Sequence, residues 1–286
     1  MLFHHHLLAG VYYPLRVAKA VSGALGGSSS ESLRVLLYHD ITPEEMPRFE
    51  SQMRWLMRTW NFVTPEDFGA MVSGEKPIRG RNLFLTFDDG FASNRVVAEQ
   101  VLNPLGIRAL YFVVSDFLDL DNYDEARNFI ACHIQPGKFA TELPVHLYNL
   151  NWGDLEALLE QGHSVGAHTQ RHLKLSQINT QLDLEREIIS SADKLQHRLG
   201  VPIEHFAYTF GDLASFSKLA MAIARRRFRF IYSGLRGDNA KEGVSPLALR
   251  RDAVTARDPL SLLGTYVEGG ADFRYVNSNA QLDSWI

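Results

Sequence analysis

With one cysteine, Cys132, in 286 residues, the chain cannot close an intramolecular disulfide, and its fold is expected to need no oxidising compartment. Cys132-His133 also lacks the surrounding pattern of a thiol nucleophile with its base. Basic residues are not in excess. There are 29 Lys and Arg against 33 Asp and Glu, and the formal net charge of −4 argues against a general nucleic-acid binder. The block Arg225-Arg226-Arg227-Phe228-Arg229 reads as a solvated helix end rather than an anion site. No apolar run reaches the roughly 20 residues of a membrane-spanning helix. Leu7 to Leu15 is interrupted by Arg16 and Lys19, and His4 to His6 stand where a secretory signal would carry Lys or Arg. Residues 1–30 therefore read as an arm and a flexible linker ending in Gly26-Gly27-Ser28-Ser29-Ser30. The arm is suited either to peripheral membrane contact through Tyr12, Tyr13 and Leu15 or to packing on the domain's own surface. A cytoplasmic setting is expected, with peripheral membrane association as the alternative to packing of the arm on the domain.

Forty-five per cent of the residues are hydrophobic and 22% charged, enough for the core of one large α/β domain over residues 31–286. Leu33 to Tyr38 reads as a first strand ending at His39-Asp40. Phe49, Met53, Leu56, Met57 and Trp60 then recur at helical spacing. Thr64-Pro65-Glu66-Asp67 carries a cap, a proline at the first helical position and first-turn acids, opening a short helix. Leu83 to Phe87 is a buried strand; a helix from Ser93 to about Leu102 and a strand from Arg108 to Val114 complete a βαβ unit and imply a parallel sheet. The pattern lapses between about 119 and 150, read as an insertion folded over one end of the sheet or barrel. It resumes with a helix at Leu155 to Glu160 and a strand of small residues from His163 to His168. A helix from Ser215, a strand Phe228 to Tyr232, a last strand Leu247 to Val254 and a helix after Asp258-Pro259 follow, and the polar tail after Gly270 is expected to be loose.

The strand Leu83-Phe84-Leu85-Thr86-Phe87 ends abruptly on Asp88-Asp89-Gly90, which places two acids where a central strand meets solvent, the position at which α/β sheets and barrels keep their chemistry. Taken alone, the pair reads equally as a helix cap beside a solvated acid. A second strand end, His168-Thr169-Gln170-Arg171-His172, offers two imidazoles four apart, a spacing that brings both to one face of a helical turn and suits a divalent ion. One rim could then present a carboxylate and two imidazoles to the same ion.

Thr86-Phe87-Asp88-Asp89-Gly90, followed about 80 residues later by His168 to His172, resembles the first two motifs of the polysaccharide deacetylases with a NodB-type domain, carbohydrate esterase family 4. The likeness extends through Val35 to His39 and Gly162 to His168 and covers most of residues 33–254. It implies a distorted (β/α) barrel of about seven strands. It also implies a metal-dependent hydrolase that removes the N-acetyl group from an amino sugar in a glycan or its precursor. By that resemblance Asp89, His168 and His172 would hold a divalent ion, most readily Zn²⁺, with positions left for a water nucleophile and the acetyl carbonyl, and Asp88 would be the general base.

Two departures bear on that reading. Phe206-Ala207-Tyr208-Thr209-Phe210-Gly211-Asp212 stands in place of the family's Arg-x-Pro-Tyr-Gly. Phe210 would keep the backbone oxyanion donor, Ala207 replaces the arginine that orients the base, and Thr209 replaces the proline and is expected to loosen the turn. The late Leu-x-His motif is missing, and Arg250-Arg251 stand there instead. Arg251 could orient Asp88, since its guanidinium matches a carboxylate fork. An arginine cannot be the acid, so the candidates for that proton are His39 and, second, His205. The alternatives are a degenerate member that keeps the ion and binds carbohydrate without turnover, and a glycosidase using Asp88 and Asp89. The latter is disfavoured because adjacent acids hardly reach the ~5 to 9 Å separation such pairs require. The preferred setting is an intracellular step in surface-glycan assembly, with a carbohydrate and no nucleic acid as partner.

Overall fold

The computed structural model describes Gly10, Tyr12 and residues 31–286. Strands β1 (Ser32–Tyr38), β2 (Asn61–Phe62), β3 (Arg81–Phe87), β4 (Ala109–Val113), β5 (Ser164–Ala167), β6 (His205–Ala207), β7 (Phe230–Tyr232) and β8 (Asp252–Ala253) are all parallel. Their order is β7-β6-β5-β4-β3-β1-β8, with β2 added beside β3. The two edges meet through the segment leading into β8: Leu249 bridges Tyr232 of β7, and Asp252 and Ala253 pair with Leu36 and Leu37 of β1. The sheet is thus a distorted barrel of seven strands in the ring, one of them only two residues long. The long last strand expected from Leu247 to Val254 shrinks because Pro246–Ala248 form a 3₁₀ turn.

Alternation along the strands sorts the core into two shells. Leu33, Val35, Phe84, Leu110, Phe112, Ala207 and Tyr232 point inward. Their neighbours Leu36, Tyr38, Leu85, Phe87, Tyr111 and Phe206 point outward against helices such as α1 (Met46–Leu56). The barrel floor is closed by α2 (Pro65–Val72), capped as expected by the Thr64 side chain, whose Phe68 stacks on Phe84 with ring centroids 4.4 Å apart. The rim where the strands end is left open.

Several expectations change. The helix expected from Ser93 to Leu102 divides into α3 (Ser93–Val97) and a π-helical turn, Ala98–Leu102; the Ser93 hydroxyl donates to Asp40 Oδ1, and Val96 is exposed. The 119–150 insertion contains α4 (Tyr123–Phe129) and a core of its own built on Phe117, Ala126, Ile130, Leu143 and Leu147. The tail after Gly270 is not loose: α5 (Val276–Asp283) buries Leu282, and Asp283 pairs with Arg250 at 2.6 Å. The basic block is a paired helix end, with Arg226 on Glu185, Arg227 on Asp193 and Arg229 on Glu204. Tyr12 is buried against Trp55, so this ring of the arm packs on the domain; Tyr13, Leu15 and the glycine-serine linker lie outside the described residues. Among the described residues no helix is long and apolar enough to cross a membrane.

The seam of the barrel carries a buried ionic cluster. The Arg34 guanidinium donates to both oxygens of Asp252 at 2.8 and 2.9 Å, to both oxygens of Asp272, and to the Tyr266 carbonyl. Removing one member of such a set leaves buried charge uncompensated. Arg34→Ala is expected to lower the unfolding free energy by about 3–5 kcal/mol, read from the denaturant midpoint. A midpoint within error of the unsubstituted protein would show that Arg236, 3.2 Å from Asp252, suffices alone.

Candidate metal centre

β3 delivers Asp88 and Asp89 to the open rim. Asp88 N–H continues the ladder by donating to the Tyr38 carbonyl, and the chain then reverses sharply: Asp89 has φ 77° and Gly90 φ 86°. Gly90 lies so close to Val113 that a Cβ there would sit 3.2 Å from its side chain. Among the described residues the non-glycine residues with positive φ are Asp89, Thr169, His172 and Phe210. All belong to this rim, and backbone strain of this kind persists only where surrounding contacts over-determine it.

The HxxxH segment is not the helical turn expected from its spacing. It is a loop in which Thr169 (φ 65°) and His172 (φ 60°) are left-handed. Its shape is fixed by side chains: Thr169 Oγ1 accepts from His172 N–H at 2.9 Å, Ser191 donates to the Thr169 carbonyl, and buried Glu187 takes both the Arg171 N–H and its guanidinium. The loop brings His168 and His172 together, with ring centroids 5.2 Å apart.

Each imidazole is oriented by a backbone carbonyl: His168 Nδ1 donates to Ala207 O at 2.7 Å and His172 Nδ1 to His133 O at 2.9 Å. A carbonyl can only accept, so Nδ1 carries hydrogen and each neutral ring turns the lone pair of Nε2 toward Asp89. Asp89 Oδ1 is 3.4 Å from His168 Nε2 and 3.3 Å from His172 Nε2, and the three donor atoms lie within 4.8 Å of one another, all buried. Three lone-pair donors facing a common point need a cation or protons between them, and two imidazoles with one carboxylate suit Zn²⁺ or a similar divalent ion. Burial opposes charge on Asp89, yet its bonds to His168 and His172, with His39 nearby, hold its carboxyl well below the usual range. For His172, burial disfavours the imidazolium and Asp89 outweighs it, raising the group.

Asp88 has a different environment. Arg251 reaches across from the seam, and its Nη1 and Nη2 donate to Asp88 Oδ1 and Oδ2 at 2.7 and 2.8 Å. The same guanidinium donates through Nε to the Ser233 carbonyl and is fully buried over the Phe112 and Tyr232 rings. The partner of Asp88 is thus Arg251, just before β8, and not a residue of β6. Arg250 points elsewhere, to Asp283.

A cavity of about 400 Å³ opens over these groups, lined by Asp88, Asp89, His168 and His172 together with His39, Asp40 and Phe210. His39 is exposed at the end of β1, its carbonyl held by the Asn94 amide. The Phe210 ring is 47% exposed and edge-on to His172 at 4.9 Å. Thr209 does not loosen the turn before it: the buried hydroxyl donates to the Leu173 carbonyl at 2.7 Å. His205 is not in this cavity. It lies in a separate one toward the barrel floor, hydrogen-bonded to the Tyr232 hydroxyl, where burial pushes it down to about 3.

Sequence reasoning set the insertion over one end of the barrel but named none of its contacts with the site. The His133 carbonyl orients His172, Ile134 and Gln135 line the cavity, and His146 Nε2 lies 3.1 Å from Asp40. No local pattern marks a carbonyl as an orienting group, and the insertion's lapse of periodicity hid the rest.

Comparison with known proteins agrees with this architecture. The family model described as polysaccharide deacetylase matches residues 75–226, a stretch that holds Asp88, Asp89, His168, His172 and Phe210 but neither His39 nor Arg251. YxkH of Bacillus subtilis (strain 168), whose name places it among polysaccharide deacetylases, is 24% identical over 155 residues, 52% of this chain and 46% of its own length. The match therefore spans just under half of that relative. Two solved structures share the fold. IcaB from Ammonifex degensii has a TM-score of 0.65 at 21% identity, covering 84% of this chain and 98% of its own. The Streptococcus pyogenes deacetylase PplD, solved in complex with acetate, has a TM-score of 0.65 at 20% identity, covering 83% of this chain and 99% of its own. With a parallel distorted barrel and a family match over more than half its length, the chain belongs to the polysaccharide deacetylase family.

Proposed function

We propose that residues 31–286 form one catalytic domain that hydrolyses the N-acetyl amide of an amino sugar in a glycan or glycan precursor, with a divalent ion, Zn²⁺ in the first instance, held by Asp89, His168 and His172. The observation that carries the reading is the division of two adjacent carboxylates. Asp89 faces two imidazole nitrogens, while Asp88 is held in a two-pronged pair with Arg251 and points into the same cavity. When bound, the ion supplies a lowered water pKa and polarisation of the acetamide carbonyl.

The remaining work falls to the chain's own groups. Asp88 takes the proton of the attacking water, and Arg251 fixes the plane of its carboxylate. The Phe210 N–H, at a turn held by Thr209, donates to the oxygen that develops negative charge. His39, exposed on the cavity wall, returns a proton to the departing amine. A degenerate protein of the same fold that binds sugar without turnover is the second reading, favoured by the loss of the family's motif arginine and late histidine.

Acetate release from N-acetylhexosamine oligomers, measured alongside metal content, tests the proposal. About one divalent ion per chain and acetate production that stops on chelation are expected. His39→Gln is expected to slow release by roughly 10²-fold with the ion retained. Metal and sugar affinity with no acetate from any substrate would favour the binding protein instead.

A further inference from the structure

The geometry points to a glycan-binding extension of the cavity on the insertion, in which Tyr148 stacks on a sugar unit next to the one being deacetylated and Tyr123, tilted 59° to it, flanks the same unit. The inference rests on the deacetylase reading and narrows its substrate to an oligomer or polymer of neutral N-acetylated sugars.

Residues 146–149 pack against two residues of the cavity wall, Phe91 and Asp40. Phe91, which lines the cavity, bridges Asn149, and Ala92 N–H donates to the Tyr148 carbonyl at 2.9 Å. From His146, at the end of a turn, to Asn149 the side chains alternate between partly exposed and buried. Leu147 and Asn149 turn inward, Asn149 donating to the Phe117 and Leu120 carbonyls. His146 and Tyr148 turn outward, and His146 reaches Asp40, itself part of the cavity wall. Tyr148 therefore lies on the face that borders the cavity mouth. Its ring is 43% exposed and stands 6.0 Å from the Tyr123 ring, also exposed. Tyr123 is not a loose side chain: its hydroxyl donates to the Val145 carbonyl, and Arg127 covers it at 5.2 Å. Arg127 in turn clasps the carbonyls of Ala140, Leu143 and Pro144 at 2.6 Å, so the insertion presents the two rings from a fixed frame.

The chemistry of the patch selects the occupant. A pyranose has an apolar C–H face and a polar rim, and a half-exposed tyrosine offers a flat apolar ring with a hydroxyl toward water. A lipid surface is a poorer match. Residues 119–150 carry five carboxylates against Arg127 and Lys138, a balance that repels anionic headgroups. That acidic balance tolerates a neutral N-acetylated chain and its cationic deacetylated product.

The test compares a β-linked N-acetylhexosamine tetramer with the monosaccharide, using the full-length metal-loaded protein. Binding is followed by titration calorimetry and turnover by acetate release. Tyr148→Ala and Tyr148→Leu are expected to weaken tetramer binding and raise its KM by roughly five- to tenfold, with kcat and the monosaccharide unchanged, while Tyr148→Phe keeps full affinity. Equal losses on tetramer and monosaccharide, or no loss in either the alanine or the leucine variant, would overturn the inference. So would binding to vesicles containing anionic lipid that disappears in Tyr148→Ala. A protein that binds the tetramer through Tyr148 yet releases no acetate would overturn the deacetylase reading and leave the sugar subsite standing.

Discussion

Asp88→Asn is expected to reduce acetate release by roughly 10²–10⁴-fold while leaving the bound ion in place, because the amide cannot accept the proton of the attacking water. The substitution is not silent for stability. Arg251 is fully buried and donates to both Asp88 oxygens. An amide offers it one oxygen and no charge, so a guanidinium is left without its counter-ion, at a cost of about 3–5 kcal/mol by analogy with other broken buried pairs. Arg251→Lys asks the converse question: it keeps the charge and loses the fork, and the Asp88 carboxylate becomes free to rotate. That variant should retain the ion and lose most of kcat with little change in KM. If Arg251 were only a strand-end charge supporting the barrel seam, Arg251→Lys would lower stability without touching kcat. The double variant Asp88→Asn/Arg251→Met closes the cycle. Its stability should exceed that of Asp88→Asn alone, since no buried charge remains unpaired. Full activity in Asp88→Asn would remove Asp88 as the base and with it the proposed division of the two acids.

The parts that were legible in the sequence share a physical cause. The run Leu83 to Phe87 could be placed because a buried parallel strand must be apolar on both faces, and its abrupt end on two acids located the rim. Arg251 could be singled out, beside its reading as an ordinary strand-end charge, because a guanidinium matches a carboxylate fork, and its side chain does meet Asp88. The illegible parts depend on backbone conformations that no periodicity encodes. The spacing of His168 and His172 satisfies a helical turn and a strained loop equally well, and only contacts from Glu187 and Ser191, far along the chain, decide for the loop. The insertion looked unstructured because its order comes from Arg127 holding three carbonyls and from a small core gathered from scattered positions, Phe117, Ala126, Ile130, Leu143 and Leu147, rather than from a long apolar stripe. The tail misled for a related reason: α5 is polar along most of its length and is anchored by Leu282 and by the pair between Asp283 and Arg250.

His168→Ala should lose the ion and turnover together, the opposite signature to Asp88→Asn. His168 Nε2 is 3.4 Å from Asp89 Oδ1 and its Nδ1 is tied to the Ala207 carbonyl, so the substitution removes a donor already aimed at the site. Asp89 and His172 would remain as two donors, too few for a closed or catalytic zinc set. The same experiment reads stability. An ion that binds only the folded state raises the unfolding free energy by RT ln(1 + [L]/Kd), about 4 kcal/mol at a thousandfold excess over Kd. Adding Zn²⁺ to chelator-treated protein should therefore raise Tm and restore acetate release, and in Asp88→Asn should raise Tm alone. His168→Ala should show neither response. A His168→Ala protein that still took up a full equivalent of ion and gained the same Tm would place the metal elsewhere. A wild-type protein whose Tm ignored Zn²⁺ would leave the facing lone pairs of Asp89, His168 and His172 to be bridged by protons alone.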